Sequence, residues 1–200
     1  MLVFHSQKLV YLAVPKTGTT AVETALSAHA SAAFRDPPGL KHANARRFER
    51  EFRQVFEPKG RQEFETVSAI RDPLSWLSSW YRYRTRPAIS GHPNSTRNIS
   101  FDTFVEGYLS ETQPAFAKVG SQSRFLTDAR HELLVDHLFA YERLGDLIAF
   151  FEDRLRIRTR LETLNVSPQM NAPLRPDLEE ALRKAMQRDF ALHEAALNRV

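Results

Sequence analysis

The chain of 200 residues contains no cysteine. Disulfides and thiolate metal sites are therefore excluded, and the absence fits a reducing compartment and a cytoplasmic location. No apolar run approaches the roughly 20 residues that a membrane span requires. The opening segment MLVFHSQKLVYLAV has no charged region before its apolar part and no small-residue cleavage site, so it does not read as a signal peptide. Repeats, low-complexity tracts and domain linkers are absent, which leaves one domain over residues 1–200 as the expectation. A strong charge imbalance is also missing: 28 basic against 24 acidic side chains give a net charge of +4. That balance suits an anionic ligand and makes no case for nucleic acid. Neither H-x-x-x-H nor H-E-x-x-H spacing occurs, so no zinc site is expected.

What is present is enough to build a core, since 42% of the residues are apolar. Leu9 to Val14 is a short continuous apolar run, as in a strand buried on both faces. Ala21 to Ala30 reads as a helix with Val22, Ala25, Leu26 and His29 on one face. Phe34 to Gly39 reads as a loop, and Ala43 to Phe56 as a very basic helix. Phe64 to Ile70 is a second strand, and Asp72 with Pro73 opens a helix through Tyr83. A polar loop follows over Pro87 to Ser100, then a helix over Phe101 to Leu109. Leu133 to Tyr141 holds a third strand, followed by a helix over Leu144 to Leu155. Pro176 to Leu197 reads as one long amphipathic helix. This alternation predicts an α/β domain with a small parallel sheet flanked by helices.

Two strand ends carry chemistry. In VPKTGTT the first strand stops at Pro15, and Lys16, Thr17, Gly18, Thr19 and Thr20 lead into a helix. A helix N-terminus after a parallel strand attracts phosphate through unpaired N–H groups and the helix dipole. Gly18 allows close backbone approach, Lys16 adds a charge and the threonines add donors. The P-loop pattern G-x-x-x-x-G-K-[ST] is not met, because Val10 and Pro15 stand where its glycines belong. The second strand end, in IRDPLSWLSSWY, places Arg71 before a helix and Ser79 two turns into it. Arg71 has the planar fork that grips phosphate. A plain alternative exists for each: a surface lysine in an ordinary turn, and an arginine in a local ion pair beside a small packing serine. Two anion sites in one small sheet imply a ligand with two separated phosphate groups.

As a pair, VPKTGTT and IRDPLSWLSSWY resemble the 5′-phosphosulfate loop and the 3′-phosphate motif of sulfotransferases, in which an Arg at a strand end is followed eight positions later by a Ser. KHANARRF, FDTFVEGYL, GSQSRFL, FAYERL and LNVSP resemble further segments of the carbohydrate-type, Golgi-related and bacterial members. The resemblance implies a P-loop-like three-layer fold. It also implies transfer of a sulfuryl group from 3′-phosphoadenosine-5′-phosphosulfate (PAPS) to an acceptor hydroxyl on a carbohydrate or other small polar molecule, without a metal. Lys16 would neutralise the bridging and leaving oxygens, and Thr17 to Thr20 would hold the 5′ phosphate. His42, in KHANA, is similar to a position that carries the family's general base. Glu23 is next in line. His29 is a rival that the helical pattern assigns to packing. Gln122, Ser123 and Arg124 fall near the nucleotide or acceptor by resemblance.

The arginines invite two readings. Arg46, Arg47, Arg50 and Arg53 form either a solvated helix face or a surface for an acidic acceptor. Arg82, Arg84 and Arg86 repeat that choice, with Trp80, Tyr81 and Tyr83 between them assigned to the core. Two other functions compete with sulfuryl transfer. A P-loop-type nucleotide kinase would need a carboxylate for Mg²⁺, and Asp72 reads as a helix cap instead. A non-catalytic nucleotide-binding scaffold would have no need of Lys16, Arg71, Ser79 and His42 together.

Overall fold

Alternating burial along the strands explains the architecture. Val3, Val10, Leu12, Ile70 and Leu138 point to one side of a sheet, and Leu2, Leu9, Tyr11, Val67 and Ala69 to the other. Both sets are buried, so the sheet is covered on both faces. The structure, a computed structural model, describes residues 1–57, 63–159 and 174–198. The LNVSP segment, Leu164 to Pro168, lies outside them.

The strands are β1 (Leu2–Phe4), β2 (Leu9–Leu12), β3 (Ala32–Ala33), β4 (Glu65–Ile70) and β5 (His137–Ala140). They form one five-stranded sheet in the order β3-β1-β2-β4-β5. The expected parallel core is β2, β4 and β5, with Leu12 opposite Ser68 and Ile70 opposite Ala140. The pattern did not reveal β1 and β3, which add antiparallel to one edge. Three residues are too short a run to show a period, and β1 returns onto β2 through a tight turn at Lys8, whose φ is 56°.

The helices are α1 (Thr19–Leu26), α2 (Pro38–Lys41), α3 (Ala45–Arg47), α4 (Arg53–Phe56), α5 (Pro73–Arg84), α6 (Phe101–Leu109), α7 (Gln122–Leu126), α8 (Leu144–Leu155), α9 (Pro176–Ala185) and α10 (Gln187–Leu197). Residues Phe48–Phe52 form a π-turn between α3 and α4. Helices α1 and α8 cover one face of the sheet; the α3–α4 segment, α7 and α10 cover the other, which gives three layers. A third apolar cluster joins α5, α6 and α9 through Trp76, Phe104 and Leu182. Among the described residues no helix is long and apolar enough to cross a membrane.

Two expectations are corrected. Pro176 to Leu197 is not continuous: it breaks at Met186, which leaves helical geometry and buries its side chain against α5 and α6. His29 does not pack on the apolar face of α1. The helix ends at Leu26 and continues as a 3₁₀ turn over Ser27–His29, whose tighter winding carries His29 off the stripe and into solvent.

Candidate functional site

The carboxyl ends of β2, β4 and β5 lie side by side, and the loops that leave them make the site. After β2 the chain turns through two residues with positive φ, Lys16 at 70° and Gly18 at 74°. A Cβ on Gly18 would stand 2.6 Å from Leu144 Cδ1 and 3.1 Å from Tyr141 Cε2, so only glycine fits. The Thr17 hydroxyl is buried and donates to the Val14 carbonyl at 2.9 Å, which closes the loop from inside. Trp76 Nε1 donates to the Pro15 carbonyl at 2.8 Å and ties the loop to α5. Thr19 is buried and Thr20 exposed in the first turn of α1. No side chain caps that turn, so its N–H groups have no intrahelical acceptor.

Arg71 follows β4. Its Nε donates to Ser75 Oγ at 2.8 Å, its Nη1 to the Lys16 carbonyl at 3.3 Å, and its guanidinium lies 4.3 Å from the centre of the Tyr141 ring. The two anion sites predicted from sequence thus touch. Asp72 Oδ1 accepts from Ser75 N at 2.8 Å, the expected helix cap. Ser79 is buried, one turn beyond Ser75 on α5.

Further cations converge here. Arg82 on α5 and Arg86 just beyond its end both lower the pKa of Lys16, which stands at about 8. Burial is the largest cause of that shift, followed by Arg86, Arg71 and Arg82. The Lys16 ammonium lies 4.2 Å from the Tyr83 ring centre and 5.7 Å from that of Trp80. Arg86 lies 4.4 Å from Tyr83. Tyr83 is 40% exposed, so it is not the core residue that its pattern implied; it is a platform for two cations. Arg82 donates to Ser78 Oγ, and its buried Nε has no partner among the described residues. Lys16, Arg71, Arg82 and Arg86 form no ion pair with a carboxylate among the described residues, which leaves their charge for a ligand. Arg84 differs. It is buried and spends its guanidinium on the carbonyls of Ala115, Phe116 and Lys118.

His42 ends the turn after α2. Its Nδ1 is 2.7 Å from the Ala13 carbonyl, beside the Lys16 loop. A carbonyl only accepts, so Nδ1 carries the proton and neutral His42 holds its lone pair on Nε2. Its pKa is lowered, first by burial and more weakly by Lys41, against the raising effect of the Ala13 bond. Glu23 is nearly closed to solvent and pairs with Lys41 at 2.8 Å. Its Oε1 and the Tyr11 hydroxyl are buried without hydrogen-bond partners among the described residues.

The basic stripe is consumed by structure. Arg46 donates to the carbonyls of Thr127 and Asp128. Arg47 and Arg50 pair with Glu51, and Arg53 with Glu49 and Glu57. For Arg47 and Arg53 the glutamates one turn away were the signal; the Arg46 contacts have none in the sequence. Gln122 lies against Arg71: fully buried, it accepts from Arg71 N at 2.9 Å and donates to Arg71 O at 2.7 Å. Ser123 is buried against Asp189, and Arg124 is exposed. Tyr141 and Glu142 lie in the FAYERL segment; its resemblance assigned neither a role, and the structure sets Tyr141 against the Arg71 guanidinium and Glu142 on the Asp72 N–H. A groove of about 310 Å³ along β5 includes Arg143 and Asp146 but neither Lys16, Arg71 nor His42. No group of three or more potential metal ligands occurs among the described residues.

A model of the Sulfotransferase family matches residues 1–193. No curated protein and no solved structure matches the chain.

Proposed function

The chain belongs to the sulfotransferase family, and on that premise we propose that it moves a sulfuryl group from PAPS to an acceptor hydroxyl and releases adenosine 3′,5′-bisphosphate. One observation carries this reading. Lys16 and Arg71 end neighbouring parallel strands, touch through the Lys16 carbonyl, and belong to a cluster of cations without carboxylate partners among the described residues. Such a cluster fits a ligand with an anion at each end of a nucleoside.

The donor supplies an activated sulfur on a good leaving group. The acceptor oxygen forms a bond to that sulfur as the bond to the bridging oxygen breaks, and the leaving phosphate keeps the electron pair. Lys16 neutralises the charge that gathers on the bridging oxygen. The first-turn N–H groups of α1, with Thr19 and Thr20, hold the 5′ phosphate. Arg71 and Ser79 hold the 3′ phosphate. His42 takes the acceptor's proton on Nε2, the nitrogen that the Ala13 bond leaves free. Its lowered pKa keeps it neutral and ready at pH 7. The acceptor is a carbohydrate or another small polar molecule.

Calorimetric titration with adenosine 3′,5′-bisphosphate, adenosine and ATP, without added magnesium, tests the donor. Preference for the bisphosphate is expected; equal affinity for adenosine removes the proposal. Labelled PAPS offered with a panel of acceptors then tests transfer.

A further inference from the structure

We propose that Asp189 and His193, four residues apart on α10, are positioning residues that fix the backbone of Arg71 and Asp72 through two separate relays. The first runs through Gln122. Asp189 Oδ1 accepts from Gln122 N at 2.8 Å and Ser123 N at 3.1 Å, and Oδ2 accepts from Ser123 Oγ at 2.6 Å. The Gln122 side chain then holds both the N–H and the carbonyl of Arg71. The second runs through Glu142. Glu142 Oε2 is 2.8 Å from His193 Nε2, and Glu142 Oε1 accepts from Asp72 N at 3.2 Å. One face of one helix thus reaches two consecutive residues at the carboxyl end of β4.

Burial makes this more than an ordinary helix cap. Asp189 is 2% exposed and Gln122 is closed to solvent, and no cation forms an ion pair with Asp189 among the described residues. A buried carboxylate is costly unless its hydrogen bonds are met, and here they are met only while α7 sits in its present place. Its pKa is raised by burial, and the hydrogen bonds from Ser123, Gln122 and its own backbone N–H resist that rise. Displacing α7 would strand the charge, so the position of Gln122, and with it that of Arg71, has a single favourable setting. None of these side chains needs to touch a ligand.

Amide hydrogen exchange on the ligand-free protein reads the relays directly. Asp189→Ala should speed exchange at Arg71 and His193→Ala at Asp72, each about tenfold, with Val67 in mid-strand unchanged. Asp189→Asn keeps an acceptor oxygen and His193→Gln keeps a donor, so both should recover most of the protection, and they carry the test if an alanine variant does not fold. Titration with adenosine 3′,5′-bisphosphate, which rests on the function proposed above, should show about tenfold weaker binding for each alanine variant. Asp189→Ala combined with Gln122→Ala should be no worse than the stronger single change, because both cut one relay. Uniform acceleration along β4, or penalties that multiply in the Asp189–Gln122 pair, would overturn the proposal. A wild type that ignores the bisphosphate would remove the functional reading, while exchange at Arg71 and Asp72 would still decide the relays.

Discussion

Lys16 is the residue on which strain, burial and chemistry meet, and replacing it by alanine and by glycine separates the three. Its φ of 70° is left-handed, which costs a side-chain-bearing residue about 1 kcal/mol. Its pKa falls from 10.5 to about 8, with burial as the main cause and Arg86, Arg71 and Arg82 behind it. At about 1.4 kcal/mol per pKa unit the charge would cost roughly 3 kcal/mol; partial exposure and screening cut that to about 1–2 kcal/mol. Against this stand contacts with Tyr83 and Trp80, together about 1 kcal/mol. Lys16→Ala should therefore lie within about 1 kcal/mol of wild type at pH 7, and Lys16→Gly should exceed Lys16→Ala by about 1 kcal/mol. In a chain of this size that is a rise of about 2–4 °C in Tm. The sign of the pH dependence is fixed. Folded Lys16 loses its proton at about 8, and the unfolded chain at about 10.4, so wild type gains stability on both variants as pH rises between those values. Urea denaturation of the three proteins from pH 7 to 10.5 measures this. Both variants should lose about 10²–10³ in kcat and far less in affinity for the bisphosphate product, because the charge matters most where the leaving oxygen gains its own. A glycine variant less stable than the alanine variant, or stability differences flat with pH, would refute the reasoning. An unchanged kcat with a raised KM would assign Lys16 to uniform binding.

Three further outcomes are expected. Arg71→Ala should weaken bisphosphate binding by about 1.5–3 kcal/mol, and Arg71→Lys should not restore it, since lysine lacks the fork that engages Ser75 and the plane that stacks on Tyr141; calorimetry decides, and full rescue by lysine would count against the geometry. His42→Ala should cost about 10²–10⁴ in kcat with product affinity intact, and the wild-type pH–rate profile should fall only below the ordinary histidine pKa of about 6.5, because burial holds this imidazole neutral; an identical acidic limb in the variant would make Glu23 the next base to test. Glu65, bound by Arg154 and His137, has its carboxyl pKa lowered to about 2, the Arg154 bond being the largest cause. Its contribution to stability is present above the unfolded value of about 4.3 and is lost as pH falls toward 2, so Glu65→Gln should flatten the acid limb of the thermal-melt profile over that window.

The sequence alone determined the parts of this protein that depend on neighbours in the chain. Buried strand β2 shows as an apolar run and β4 as a second strand segment, Asp72 and Pro73 mark the start of α5, and α6 and α8 begin and end where their periodicity does. The two strand-end motifs are legible because a strand, a tight turn and a helix start occupy consecutive residues, and the family itself is legible from them, as the match over residues 1–193 shows. Tertiary structure alone decided the rest. Arg82 and Arg86 join Lys16 in one cationic cluster, and Arg46 to Arg53 do not, although both sets look alike as a charged stripe. Arg47 and Arg53 meet a glutamate one turn away and Arg46 meets the Thr127 and Asp128 carbonyls, whereas Arg82 and Arg86 face other cations. Asp189 and His193 read as ordinary positions of an amphipathic helix, because their partners Gln122 and Glu142 stand 67 and 51 residues away in the chain. His29 and Tyr83 went astray for the same reason. A helical pattern says which residues share a face; only packing says where that helix stops, and whether its face meets a core, a cation or water.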